Sequence, residues 1–551
     1  MNESNQLIGE KLRGLKKKIF IKKSKDYPKS KKLSNIRACL IVTIILILIL
    51  LCLFGMKFYR DKKRNNLINE NIYINIENNK SKIETSINKG TKSENKQTKE
   101  NIKLKFNTEK YGNDKNIEQN NEICNDLDPI KMFNDRLKNT PTTICKSESS
   151  SHICYKNTDS IYVAGNGVIC TMENIILDPS KWKDGKYIYK GPVDQENRGC
   201  PLLEKGFFNM RCKGEKNEFE GYDRIYNKYF EGWNYNFDGK EDEEELAPGK
   251  TIFFLSRNQD SPNLYHGGSE FINTLSMLYL LDIDPEKIQI VFLESMALND
   301  DPFYDLYKNL ISRGGEPIYI RNMTKRYHIS SAIHVPINWD SPCFIYSEVP
   351  TCDNPTRTYK YYNSLIDKYM NITKFEDNFK TDGEIFYYPK SIIDNHNSSI
   401  KFTKTVTFQW RRVWPKGRKG QQRILGNGPE LAEKLSESLP KNINLRLIDT
   451  ASLPISEQIS IMRNTDYYVG IHGAGLCLSI YSPKNCIFHE VLPSPNMNGL
   501  LLMAALSGHK TYSDIVEANI KDIDGNEEIF FKEEEFVKLV IEHMKENKLI
   551  D

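Results

Sequence analysis

The chain has 551 residues, with 77 Lys plus Arg against 73 Asp plus Glu and a formal net charge of +4. Residues 1–64 hold 17 basic and 4 acidic side chains, so the remainder is mildly acidic, and a nucleic-acid-binding body is disfavoured because phosphate neutralisation needs a basic surface. An apolar content of 39%, with 11% aromatic, excludes wholesale disorder.

In chain order, residues 1–37 form a basic tail with 12 Lys/Arg and 3 acids. Ala38–Met56 reads ACLIVTIILILILLCLFGM, a run without charge. About 20 apolar residues span a bilayer core, so this run predicts a single transmembrane helix. The basic flank before it predicts a cytosolic N-terminus and a lumenal body, a single-pass type II arrangement. A signal peptide fits less well, because 37 residues precede the run and no A-x-A-like site follows it. Residues 57–120 are rich in Asn, Lys, Glu, Ser and Thr and predict a flexible, disordered stem.

Ten cysteines follow the apolar run, several in close pairs, as in 145/154, 343/352 and 477/486. None has C-x-x-C spacing, so disulfides in an oxidising lumen are expected rather than a metal site, with 343–352 a first guess at pairing. Sequons at Asn79, Asn322, Asn371 and Asn397 fall on the same side.

From residue 121 the composition becomes globular. Short β-type runs such as 160–172 suggest a partly β, disulfide-tied beginning. Strand patterns at 250–256 and 287–293 alternate with helix patterns at 269–281 and 301–314, which predicts a parallel, doubly wound layer over 121–385. A linker-like stretch at 376–403 leads to a second α/β layer over 386–551. Its predicted strands are 404–410, 443–449, 466–472 and 485–493, with helices at 429–439, 456–464 and 534–547. Two Rossmann-like α/β domains facing a cleft would place a ligand at the carboxyl ends of the strands.

The C-terminal layer carries the chemistry. His472, Gly473, Ala474 and Gly475 follow a strand and open a helix, a setting in which small residues let N–H groups reach a diphosphate; tight turns share the pattern. The segment 407–427 concentrates Arg411, Arg412, Lys416, Arg418, Lys419 and Arg423, either a diphosphate-facing cluster or a solvated basic loop. Arg411 and Arg423 stand at its edges. Glu490 lies in an apolar strand, where it would hold ribose hydroxyls or point to solvent. In the N-terminal layer His266 and Glu270 are four apart at a helix start, either a general base for an acceptor hydroxyl or a capping pair. No D-x-D pair in a strand-end setting, no G-x-x-x-x-G-K-[ST] loop, no G-x-S-x-G elbow and no H-E-x-x-H helix is present.

Taken together, EQISIMRNTDYYVGIHGAGL, VTFQWRR followed by QQRILGN, and LYHGGSEF resemble the signature of glycosyltransferase family 61. The resemblance covers roughly 250–495. It implies a GT-B fold, an inverting mechanism, a UDP-sugar donor (xylose, N-acetylglucosamine or arabinose), and a polysaccharide or glycoprotein acceptor in the Golgi or ER lumen. It implies no metal and no other cofactor. Carried over by position, Arg411, Arg423, His472 and Gly473 would hold the diphosphate, Glu490 the uridine ribose, and His266 or Glu270 would lie near the acceptor. Gly426 is an extra residue before the matched Asn427, and Glu270 stands where animal members have Asp. A non-catalytic, membrane-anchored glycan-binding member is the alternative.

Overall fold

A computed structural model describes residues 106–107, 122–156, 168–183, 202–212, 231–239, 243–256, 263–293, 303–336, 349–413, 423–494, 499–523 and 525–551. Ala38–Met56 lies outside these. No helix among the described residues is long and apolar enough to cross a membrane. The expectation of two Rossmann-like domains in a GT-B fold is corrected to a mixed α/β fold by the sheet topology below. The expected stem is corrected in one place: Phe106 packs edge-on to Tyr155 at 5.7 Å, and the Asn107 N–H donates to Leu280 O at 2.7 Å.

The first large sheet runs in the order β1 (Thr142–Lys146), β2 (Ser151–Lys156), β3 (Val168–Leu177), β11 (Tyr327–His334), β8 (Thr251–Leu255), β9 (Ile288–Phe292) and β10 (Ile318–Tyr319). Two short strands, β6 (Phe208–Asn209) and β7 (Trp233–Asn234), extend it beside β3, and β4 (Trp182–Lys183) pairs with β5 (Leu202–Leu203) alone. β1, β2, β3 and β11 pair antiparallel, whereas β11, β8, β9 and β10 pair parallel. The expected doubly wound parallel layer is therefore a mixed sheet. β11 joins its two halves, matching His334 to Cys170 on one side and to Phe254 on the other. Disulfides Cys145–Cys212 and Cys154–Cys170 tie the antiparallel half. Cys352 bonds Cys124 across 228 residues, which corrects the 343–352 guess, and Cys343 lies outside the described residues. Cys477 and Cys486 are buried thiols.

The second sheet runs β12 (Phe386–Tyr387), β15 (Ile443–Ile448), β13 (Lys404–Gln409), β16 (Tyr467–Ile471), β17 (Ile487–Leu492) and β18 (Lys510–Ile515). Only β12 is antiparallel. From β13 the chain crosses to β15 on one side, then returns to β16 on the other. That reversal creates a switch point at the carboxyl ends of β13 and β16, where α/β sheets open a crevice. A third sheet, β14 (Arg423–Leu425), β20 (Asn526–Phe531) and β19 (Ala518–Ile523), flanks it.

The two large sheets share one apolar core, so the expected cleft between separate layers is also corrected. That core joins Phe271, Leu275 and Leu278 of helix α1 (Leu264–Leu281) to Tyr362 and Ile366 of helix α2 (Arg357–Tyr369). It continues into Ile459 and Met462 of helix α3 (Ile455–Arg463), then Tyr468, Leu476 and Phe488. The opposite face of the second sheet buries Phe408, Leu447, Val469 and Val491 under the terminal helix α4 (Glu533–Glu546), through Phe536, Val540 and Met544.

Arg446, in the middle of β15, has no exposed side-chain surface. Its Nη1 lies 3.1 Å from both oxygens of Asp377, Nε donates to Thr407 Oγ1, and Nη2 donates to Ile461 O at 2.8 Å. Removing one partner of a buried ion pair leaves the other uncompensated, typically at about 3–5 kcal/mol. Arg446→Ala should destabilise the chain by an amount of that order, read from the denaturant midpoint; a midpoint shift of zero would contradict this packing account.

Candidate active site

The site is built on the carboxyl ends of β13, β16 and β17. Register pairs Gln409 with Gly470, and Gly470 with Glu490, so these three stand side by side on one row. Gln409 is buried, and its Oε1 accepts from Thr450 Oγ1 at 2.9 Å and Tyr468 OH at 2.7 Å. The same tyrosine hydroxyl lies 2.9 Å from Gly475 O. Gln409 thus braces the glycine turn from below. No motif marked it in the sequence. Its signal was a polar side chain closing an otherwise apolar strand.

The glycines are explained by what sits where a side chain would be. A Cβ at Gly470 would lie 2.7 Å from Gln409 Cβ, and one at Gly475 would lie 3.2 Å from Gln409 Cδ. A Cβ at Gly473 would fall 1.2 Å from Arg411 Nη1. Gly473 has an extended backbone, so the constraint is close approach and not conformation. The small residues of this turn make room for Gln409 and Arg411. Ala474 then opens a 3-10 helix, Ala474–Tyr481, in place of the expected α-helix start.

Arg411 donates from Nη1 to His472 O at 2.7 Å. Burial, then repulsion from Arg423, pulls its guanidinium down from the usual value to about 10. It remains charged at neutral pH. Among the described residues no carboxylate pairs with it. The Arg411 carbonyl accepts from Leu425 N at 2.8 Å, which holds β14, and with it Arg423, beside the turn. Arg423 Nε lies 3.7 Å from Glu527 on β20. Arg412 turns elsewhere: Nη1 donates to Gly383 O at 3.2 Å, and its guanidinium lies over the Trp410 ring. Lys416, Arg418 and Lys419 lie outside the described residues.

His472 Nδ1 lies 2.5 Å from Glu490 Oε1. Glu490 is only 1% exposed and His472 is 18% exposed, so the carboxylate is the inner partner and the ring the outer one. A buried carboxylate on one ring nitrogen fixes orientation and leaves Nε2 for a ligand. Glu490 therefore holds the ring of His472.

His266 and Glu270 lie on the first turns of α1. Asn263 starts that helix by accepting from Tyr265 N at 3.0 Å. Leu264, Gly268 and Phe271 face the 3-10 helix, lining one small cavity with Cys477, Leu478 and Tyr481. His266 and Glu270 fall on the other side at helical spacing, in line with Asn273, whose Nδ2 donates to Pro336 O at 3.2 Å. Glu270 is buried, and His266 is half-buried.

The family then follows from comparison. Residues 264–488 match the model of the glycosyltransferase 61 family. This segment belongs to glycosyltransferase family 61. The match begins at the first residue of α1 and takes in His266, Glu270, Arg411, Arg423 and His472, but stops two residues short of Glu490. No curated protein matches the chain. Among solved structures, the dodecameric iron-containing heptosyltransferase TibC in complex with ADP-D-beta-D-heptose aligns at 9% identity. It covers 69% of this chain and 80% of that one with a TM-score of 0.19, too low to define a shared fold. Over these residues the chain is similar to glycosyltransferases.

A buried cation with no anionic partner costs stability until a ligand supplies one. Because Arg411 is a base with a lowered value, that cost is fully present at neutral pH and relaxes only as pH rises above about 10. Arg411→Met should leave the unfolding midpoint unchanged or raised, while pyrophosphate affinity by calorimetry falls about tenfold or more. A lowered midpoint with intact affinity would contradict this assignment.

Proposed function

We propose that this glycosyltransferase moves a sugar, with inversion, from a UDP-sugar to a hydroxyl of a polysaccharide or glycoprotein. Xylose, N-acetylglucosamine and arabinose are the donors considered. The observation that carries the reading is Arg411, a charged guanidinium held, among the described residues, without a carboxylate against a glycine turn at the switch point of a largely parallel sheet. A diphosphate is the ligand whose charge and size suit that place.

In the reaction, the acceptor oxygen attacks C1 of the sugar as its proton passes to a base. The C1–O bond to the diphosphate breaks, and its electron pair goes to the departing UDP. Arg411, and His472 through Nε2, stabilise that growing negative charge, a contribution that is largest in the transition state. Arg423 adds positive potential from the neighbouring strand. These cations take the part that a divalent ion has in other transferases, so no metal is required at the diphosphate. His266 is assigned as base, because it is more accessible than Glu270 and both lie on the same side of α1. The three disulfides among the described residues favour an oxidising compartment, the lumen of the Golgi or ER.

Arg411→Ala and His472→Ala should each lower UDP-sugar turnover by about 100-fold or more, with the circular dichroism spectrum unchanged. Unchanged turnover in either variant would overturn the site. UDP binding without turnover of any sugar by the native chain would favour the non-catalytic, glycan-binding alternative.

A further inference from the structure

On the face of β17 opposite Glu490 stands a second cluster that the transfer reaction does not use. Adjacent residues of a strand point to opposite faces, so His489 faces α4 while Glu490 faces His472. His489 has no exposed surface, and its Nε2 lies 3.0 Å from Asp514 Oδ2 on β18. His543 of α4 points Nε2 at the same oxygen from 2.6 Å. One ligand atom from each of the three residues lies within 4.8 Å of the others.

A plain hydrogen-bonded clip explains half of this. The His543–Asp514 contact is a good hydrogen bond. The His489 contact is poorer: its Nε2 is buried and approaches the same carboxylate oxygen at 3.0 Å, out of line for a well-formed hydrogen bond. The other ring nitrogen is firmly held, with Nδ1 2.8 Å from the buried Tyr467 hydroxyl. Metal-bound histidines are held in this manner, with one nitrogen fixed by an outer hydrogen bond and the other directed at the ion. Stacking on Tyr512, at 3.7 Å between ring centres, orients His543.

We propose that His489, Asp514 and His543 bind a divalent transition-metal ion, zinc by the fit of the ligands, in a site separate from the diphosphate turn. Two imidazoles and one carboxylate suit a borderline ion; calcium and magnesium prefer all-oxygen shells, and there is no thiolate to select a soft one. At zinc bond lengths of about 2.0 Å, tetrahedral ligands stand roughly 3.3 Å apart. The His489–Asp514 pair is near that spacing already, and the His543–Asp514 pair opens by several tenths of an ångström. Asp514 and His543 retain 26% and 14% exposure, so water can reach the fourth position and the ion can enter from solvent. The ion would clamp α4 and β18 to β17, and so hold the strand that aims Glu490 at His472.

The test is metal binding by the full chain, stripped with a chelator and titrated with Zn²⁺ or Co²⁺. One zinc per chain by elemental analysis is expected, with visible cobalt absorption typical of a tetrahedral nitrogen–oxygen site. His543→Ala should abolish the cobalt signal. Asp514→Asn, which keeps the shape of the side chain, should do the same without a loss of fold. Tyr467→Phe should weaken affinity by about tenfold, as loss of an outer-shell partner does. Absence of stoichiometric zinc in the native chain, or equal affinity in the native chain, His543→Ala and Asp514→Asn, would overturn the proposal.

Discussion

Arg411 and Gly473 occupy the same space. The guanidinium fits against the turn only because residue 473 has no side chain, and its hydrogen bond to His472 O fixes the turn in return. Each half of this contact depends on the other. Without the glycine, Arg411 would swing out to solvent, where its charge would be screened by water and salt. Without Arg411, the turn would lose the donor that holds its first carbonyl. On the proposed function, the positive charge that a departing diphosphate needs is thereby set in place before any ligand arrives, which is the condition under which electrostatic stabilisation is most effective.

The rest of the C-terminal half serves that contact. The strand reversal between β15 and β16 puts the ends of β13 and β16 together. Gln409 and Tyr468 lock the floor, and buried Glu490 fixes the ring of His472 from β17. The sheet is backed on one side by the core it shares with α1 and α2, and on the other by α4. This burial on both faces explains why its strands read as apolar runs without alternation. β17 is the strand on which both faces act: Glu490 on the ligand side, His489 on the side of α4.

Much of this was legible in the residues. The strands of the second sheet stood out as short apolar runs bounded by Pro, Asn and Asp, and H-G-A-G with flanking arginines was legible as a turn at strand ends. What could not be read is what depends on pairs distant in sequence. β11, YHISSAIH, mixes His and Ser into a central strand, and only its partners Ile252 and Met172 show that it belongs between them. β19 is largely exposed and has no apolar period to reveal it. Cys124 finds Cys352 rather than a near neighbour, because folding brings the start of the globular region beside the approach to α2. Glu490 was visible as a strand carboxylate, but its burial, and hence its role toward His472, follows from packing. The glycines were visible as small residues, yet the side chains that fill their space come from another strand.

The central claim is that Arg411 and His472 together receive a diphosphate at the glycine turn. A crystal structure of the native chain soaked with UDP tests it most directly. The account predicts the diphosphate over the turn at 472–475, with phosphate oxygens within hydrogen-bond distance of the Arg411 guanidinium and His472 Nε2. UDP bound elsewhere on the chain, with Arg411 and His472 untouched, would contradict it.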